Sequence, residues 1–183
     1  MTDPTAADRS PDPRRLSTTE QLLEHLDGVV AAHERGDRTS RAAEAFWVQV
    51  LTTPGHPLTT SLPDEPLVDW HDRGLLGDLS GARVLDIGCG NGRNAAWLAD
   101  RGAQVTGIDL AAGLLDTVRP RMPRGVTLVC ADVLRDDLPE GTFDLVYDSG
   151  CFHHLAPHRR ITYLGRVMPL VGPHGRFGIV TFA

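Results

Sequence analysis

The chain predicts an α/β fold in which a mostly parallel sheet carries helices on both faces. Three features support this prediction. From residue 83 onward, short apolar runs alternate with helix-like segments at the spacing of β-α-β units. The first run leads directly into a turn with three alternating glycines, and aspartates stand at or just after the ends of the next three runs. Right-handed crossovers between such runs leave the strands parallel.

Taken in order, residues 1–16 mix Pro, Asp, Arg and Ala without periodicity, and a mobile tail is expected there. Ser17, Thr18, Thr19 and Glu20 fit a capping box, in which the Ser hydroxyl and the Glu carboxylate each satisfy a free amide. The helix it opens is predicted to run to Arg35. Leu22, Leu23, Leu26, Val29 and Val30 share one face, with Glu24, Asp27 and Glu34 away from it. A second helix is predicted over 40–51 and carries Phe46, Trp47 and Val50. The stretch TTPGHPLTTSLPDEP, with four prolines, then reads as an irregular loop, and a short helix runs from Pro66 to about Arg73. Residues 17–74 therefore form an expected N-terminal helical lid, and 75–183 the strand-helix domain. Its predicted strands cover 83–87, 104–109, 126–130, 143–147 and 175–182, and its helices 93–101, 111–121 and 157–168.

Composition narrows the function classes. With 183 residues, of which 41% are hydrophobic and 23% charged, the chain is the size of one ordinary domain with a sizeable core. Its apolar runs fall well short of the roughly 20 residues that span a bilayer, and its first residues lack the apolar core of a signal peptide. A cytoplasmic protein with no membrane partner is expected. A net charge of -6 argues against a nucleic-acid partner, which needs a basic face to neutralise phosphates. The odd number of cysteines, Cys89, Cys130 and Cys151, fits free thiols better than a disulfide framework.

The segment VLDIGCGNGRNA, residues 84–95, concentrates the functional signal. Val84, Leu85 and Ile87 suit a buried strand, and Gly88, Gly90 and Gly92 let the backbone turn sharply against a nucleoside-type ligand. The spacing is G-x-G-x-G, which departs from the G-x-G-x-x-G of dinucleotide sites. Asp86 and Asp109 are 23 residues apart, as are Asp109 and Asp132, and Asp148 closes the fourth run. All four carboxylates are expected at one rim of the sheet. Asp109 has acceptor sites for both hydroxyls of a ribose, Asp132 for an exocyclic adenine amine beside the Val133 amide, and Asp86 for an ammonium. A single Asp at a strand end is ordinarily a turn cap, and it is the recurrence that favours a site.

These residues resemble the class I S-adenosylmethionine-dependent methyltransferases. VLDIGCGNG is similar to the first motif of that superfamily, GIDL to the second, ADVL to the third and FDLVYDSG to the fourth. The resemblance implies a Rossmann-like three-layer sandwich with strand order 3-2-1-4-5 and S-adenosyl-L-methionine as cofactor. It implies that Gly88, Cys89 and Gly90 line the methionine part, that Asp109 holds the ribose and that Asp132 and Val133 read the adenine. Asp86, Arg93, Asn94, Leu110, Asp148 and Ser149 complete the implied cofactor set. No metal site is expected, because adjacent histidines at a helix start project in different directions.

YDSGCFHHLAPHRRITYL is similar to a subgroup of small-molecule methyltransferases related to the thiopurine, thiol and tellurite enzymes. Here Phe152, His153 and His154 would face the transferred methyl, and the implied catalytic residues are His153, His154 and Asp148. Either histidine has the chemistry to deprotonate an acceptor, and equally to pack against or cap the next helix. Arg159 and Arg160 read as solvated helix charges. The chain ends after strand five, so the superfamily's strands 6 and 7 are missing and an apolar strand edge is expected to be exposed. That edge is a candidate contact for a second copy or a partner chain. The expected function is methyl transfer to a small nucleophile (S, O, N or chalcogen). The alternative is a non-catalytic S-adenosylmethionine-binding homologue or subunit that needs a partner chain.

Overall fold

A computed structural model describes residues 16, 18–33 and 43–181. The predicted tail up to residue 15, Ser17, the second helix's start at 40–42, the first helix's end at 34–35 and the last residue of the predicted fifth strand lie outside the described residues. The elements are α1 (Thr19–His33), α2 (Glu44–Thr52), α3 (Glu65–Asp72), β1 (Arg83–Ile87), α4 (Arg93–Ala99), β2 (Gln104–Asp109), α5 (Ala112–Val118), β3 (Val126–Cys130), β4 (Phe143–Ser149), α6 (Pro157–Val167) and β5 (Val171–Val180). The five strands stand in the order β3-β2-β1-β4-β5, and every neighbouring pair is parallel.

Side-chain alternation along the strands divides the core into layers. Val84, Val105, Leu145 and Tyr147 pack with Leu67 of α3 and with Ala95 and Leu98 of α4. Leu85, Ile87, Ile108 and Val146 project to the opposite side, against Tyr163 and Val167 of α6. Leu114, Leu115 and Val118 of α5 join Leu128 of β3, with Val48 and Leu51 of α2 packed on them. Full burial of each such aliphatic side chain contributes roughly 1.5–3 kcal/mol. Three adjacent apolar clusters therefore hold the strand ends in place.

Element boundaries differ from the sequence expectation where tertiary contacts intervene. The cap of α1 is formed by Thr18 and Gln21: the Gln21 amide donates to Thr18 Oγ1 (3.1 Å) and the Thr18 amide to Gln21 Oε1 (3.2 Å). Glu20 instead meets Arg159 at 3.0 Å. β5 begins at Val171, inside the VGPHG segment that carries turn signals, with an irregular register against β4 between Phe143 and Leu145. A Cβ on Gly175 would stand 2.6 Å from the Phe143 carbonyl oxygen, so only glycine fits this bulge. Short 3-10 turns over Arg119–Arg121 and Met168–Leu170 replace the last residues of the predicted fifth and sixth helices.

Arg159 is a further correction, since it is fully buried rather than solvated. Asp27 of α1 accepts from Arg159 Nη2 at 2.6 Å and Arg135 Nη2 at 3.1 Å, and lies 2.7 Å from His158 Nε2. Arg160 donates to the His153 and Leu155 carbonyls. Burial pulls the Asp27 pKa up, but the Arg159 and His158 contacts outweigh it and hold it below the ordinary carboxylate range. Its contribution to stability is thus present above the ordinary carboxylate pKa and is lost as pH falls through the lowered value. Asp27→Ala is expected to speed native-state hydrogen exchange of the α1 amides at least about tenfold while β1 and β4 stay protected.

Candidate functional site

An open cavity lies beyond the carboxyl ends of β1, β2 and β4, where the chain order reverses on either side of β1. Its floor is the turn after β1. The amides of Gly88 and Cys89 donate to the Ile108 carbonyl at 2.8 and 3.0 Å. Gly88 has φ +66°, and a Cβ there would stand 2.8 Å from Cys151 Cβ. Both the left-handed backbone and the contact with the turn after β4 exclude a side chain. The Gly90 amide donates to Asp109 Oδ2 at 2.9 Å, which ties the turn to the end of β2.

The four strand-end acids do not share one rim. Asp109 and Asp132 line the cavity, together with Leu110 and Val133. Asp86 and Asp148 are 1% and 0% exposed and lie outside the lining. The reason is register. Asp86 is opposite Gly107, two residues before Asp109, so it points to the same face as Asp109 but deeper below the strand ends, whereas Asp148 is opposite Ile87 and points to the other face. Asp148 accepts from the Tyr163 hydroxyl (2.5 Å) and from the amides of Cys151 (2.8 Å) and Phe152 (3.1 Å). It organises the turn that carries residues 150–154.

Of the two lining acids, Asp109 also accepts from the Ala111 amide at 2.9 Å, so each of its oxygens already holds one backbone N–H. Burial raises its pKa, with those amides pulling the other way. Asp132 accepts from the Leu134 amide (2.9 Å) and pairs with Arg135 (3.0 Å), whose other nitrogen reaches Asp27. A carboxylate oxygen has lone pairs beyond one donor, and a hydroxyl or amine from the cavity can share it.

Arg93 and Asn94 border the cavity, but their side chains converge on Asp64. Arg93 pairs with Asp64 Oδ1, Asn94 Nδ2 donates to Oδ2 at 2.9 Å, and the Tyr147 hydroxyl donates to Oδ2 at 3.0 Å. Asp64 occupies the N-cap position of α3 and makes no side-chain cap bond there. Sequence reading did not single out Asp64 or Tyr163. Asp64 sits in a proline-rich loop, and Tyr163 reads only as a core-facing helix residue.

His154, Ser149 and Cys151 line the cavity, whereas Phe152 packs on Tyr163 with ring centroids 5.3 Å apart. His154 meets the Trp47 ring edge-on at 4.6 Å, and the His153 ring lies tilted against it at 4.0 Å. His153 is outside the lining, and burial followed by the Arg160 charge lowers its pKa. None of the three cysteines forms a disulfide, and burial pushes Cys89 and Cys151 up.

This arrangement, a glycine turn against Asp109 at the switch of a 3-2-1-4-5 sheet, defines the class of protein. The chain matches the methyltransferase domain family over residues 84–175 and belongs to that family. An uncharacterized methyltransferase of Mycobacterium tuberculosis is 38% identical over 100 residues, 54% of this chain and 50% of that protein. The chain spans about half the length of the curated relatives it matches. An S-adenosylmethionine-dependent methyltransferase of Mesorhizobium loti is similar in structure, with a TM-score of 0.53 and 33% identity over 62% of this chain and 53% of that one. A 1,6-didemethyltoxoflavin-N1-methyltransferase of Burkholderia thailandensis, solved with 1,6-didemethyltoxoflavin and S-adenosylhomocysteine, gives 0.56 and 27% over 92% of this chain and 66% of that one. No helix among the described residues is long and apolar enough to cross a membrane.

Asp86 supplies a pH test. Its Oδ2 is buried without a hydrogen-bond partner, and burial, followed by the charges of Asp64 and Asp148, pushes it up to about 8. A raised carboxylate favours the neutral form in the fold. Its stabilisation is complete below the unfolded value and is lost as pH rises toward about 8. In urea denaturation without ligand, Asp86→Asn is expected to make the fall of stability across that window shallower, by up to about 1.4 kcal/mol per pH unit.

Proposed function

We propose that the chain is a methyltransferase that uses S-adenosyl-L-methionine to methylate a small-molecule nucleophile. The observation that carries this reading is the cavity floored by Gly88, Cys89 and Gly90 and backed by the Asp109 carboxylate. The donor set fits the cofactor. Asp109 retains acceptor capacity for ribose hydroxyls, Asp132 and the Val133 amide edge the adenine end, and the backbone of 88–90 approaches without side chains. Among the described lining residues the one guanidinium or ammonium group belongs to Arg93, and it is held by Asp64, so a pyrophosphate would find no uncommitted Arg or Lys there. S-adenosylmethionine binding at other matched structures, and membership of the methyltransferase domain family, support the same cofactor.

When bound, the cofactor supplies an electrophilic methyl group on a sulfonium. The protein then has to hold two reactants in line and keep water away. Trp47 and Leu51, one helical turn apart on α2, roof the cavity, with Leu51 next to Gly90. His154 is placed to take a proton from an acceptor that starts protonated. Ser149 stands at the cavity edge of β4, and Asp148 acts through the turn it braces. Asp86, Arg93 and Asn94 belong to the layer that shapes the methionine end, Arg93 and Asn94 through Asp64.

The Burkholderia neighbour, with its small heterocycle, supports a small-molecule acceptor. The Phe152-His153-His154 segment is what supports placement near the thiopurine, thiol and tellurite enzymes. Three cysteines outside any disulfide support a cytoplasmic location. A second reading rests on β5, which pairs with β4 alone among the described strands: a second copy or a partner chain covers that edge and completes the active unit. Light scattering that finds only monomer, together with full turnover by that monomer, would remove this second reading.

The principal test is calorimetry with S-adenosylmethionine. Binding is expected, and Asp109→Ala should weaken it by about 2–4 kcal/mol, the worth of two charge-assisted hydrogen bonds. Unchanged affinity in the variant would refute the assignment of Asp109.

A further inference from the structure

Resting on the methyl-transfer reading, we propose that Arg135 is a positioning residue that sets Asp132 for the base of the cofactor, and that through Asp27 it couples the docking of α1 to occupancy of the cavity. Asp132 lines the cavity and Arg135 does not. The Arg135 guanidinium spans two carboxylates. Nη1 donates to Asp132 Oδ2 at 3.0 Å, and Nη2 donates to Asp27 Oδ2 at 3.1 Å, 108 positions away in the chain. One planar fork thus joins a cavity-lining acid to the N-terminal helix.

The helix it reaches is docked lightly. Among the described residues none in α1 is buried, and no α1 side chain belongs to the three apolar clusters. Charged contacts reach it instead. Arg159, fully buried on α6, donates to Asp27 from Nε and Nη2 and to Glu20 from Nη1, and His158 Nε2 lies 2.7 Å from Asp27. A helix with so little apolar burial belongs to the low end of local stability, where one ion pair changes the docked fraction.

The same fork orders the acid in the cavity. One oxygen of Asp132 accepts from the Leu134 amide and the other from Arg135. Alone, an i,i+3 pair whose arginine side chain is 26% exposed contributes little, because the long side chain gives up its rotamers to hold it. With its second nitrogen fixed on Asp27, the fork is already ordered and less is lost per bond to Asp132. The carboxylate then presents its remaining lone pairs in a fixed direction. An exocyclic amine can donate to them, whereas a carbonyl in the same place is repelled. Coupling of this kind is reciprocal: a docked α1 orders Asp132 for its ligand, and the ligand favours the docked α1 by the same factor.

The test uses the full chain with S-adenosylhomocysteine and with S-inosylhomocysteine, in which a carbonyl replaces the adenine amine. Calorimetry is expected to find S-adenosylhomocysteine bound at least about tenfold tighter. Hydrogen exchange is expected to show the α1 amides slowed at least about fivefold when it is bound. Arg135→Gln should bring the two affinities to within about threefold of each other and abolish the slowing of α1. Asp27→Asn, at a residue outside the lining, should move both readouts in the same direction, and it carries the test should Arg135→Gln not fold. Protection of β1 and β4 in the same experiment reports whether each variant is folded.

A wild-type chain that binds S-adenosylhomocysteine with unchanged α1 exchange, or without preference over the inosyl compound, would overturn the inference and leave the cofactor assignment intact. A folded Arg135→Gln that keeps the base preference would do the same, as would an Asp27→Asn that loosens α1 yet keeps it in full. Failure of S-adenosylhomocysteine to bind the wild-type chain would overturn the methyl-transfer reading, and this inference with it.

Discussion

The close approach of Gly88 to Cys151 is the constraint around which the site is built. β1 and β4 are parallel neighbours, so the turns leaving their carboxyl ends emerge side by side. A side chain on Gly88 would meet Cys151 Cβ at 2.8 Å, and the left-handed backbone at that position would itself be strained. On the other side the Gly88 and Cys89 amides hold the Ile108 carbonyl and the Gly90 amide holds Asp109, so the turn is fixed between β2 and the turn after β4.

Around that contact, buried carboxylates act chiefly as organisers. Asp148 gathers the Tyr163 hydroxyl and two amides, which fixes the turn carrying Cys151 and His154. Asp64 gathers Arg93, Asn94 and Tyr147, which seats the loop before α3 on the start of α4. Asp27 gathers three cationic or ionisable side chains and brings α1 onto α6. Buried charges are tolerated here because each carboxylate is met by several donors. Asp86, with one oxygen unpartnered, is the departure from that pattern, and burial keeps it neutral over much of the pH range.

The lining joins elements that are remote in sequence. Trp47 comes from α2, Asp109 from the end of β2 and His154 from the turn after β4, and they meet because the sheet order places β1 between β2 and β4. The α2 residues serve both purposes: Trp47 and Leu51 line the cavity, and Val48 and Leu51 pack on the cluster of α5 and Leu128.

Local pattern alone determined the strand and helix succession, the parallel sheet and the glycine turn, because apolar periodicity and the demands of φ > 0 act over a few neighbouring residues. The family was legible for the same reason: its motifs are contiguous runs at strand ends. Direction and partnership were not. That Asp86 lies below the cavity while Asp109 lines it follows from the pairing of Asp86 with Gly107, two residues before Asp109. Whether Arg159 is solvated follows from Asp27, which lies 132 positions away in the chain. Glu20 leaves its capping role for that same buried arginine. The tertiary structure alone decided these, because the energy of a buried charge depends on every donor the fold brings to it, and no window of sequence contains them all.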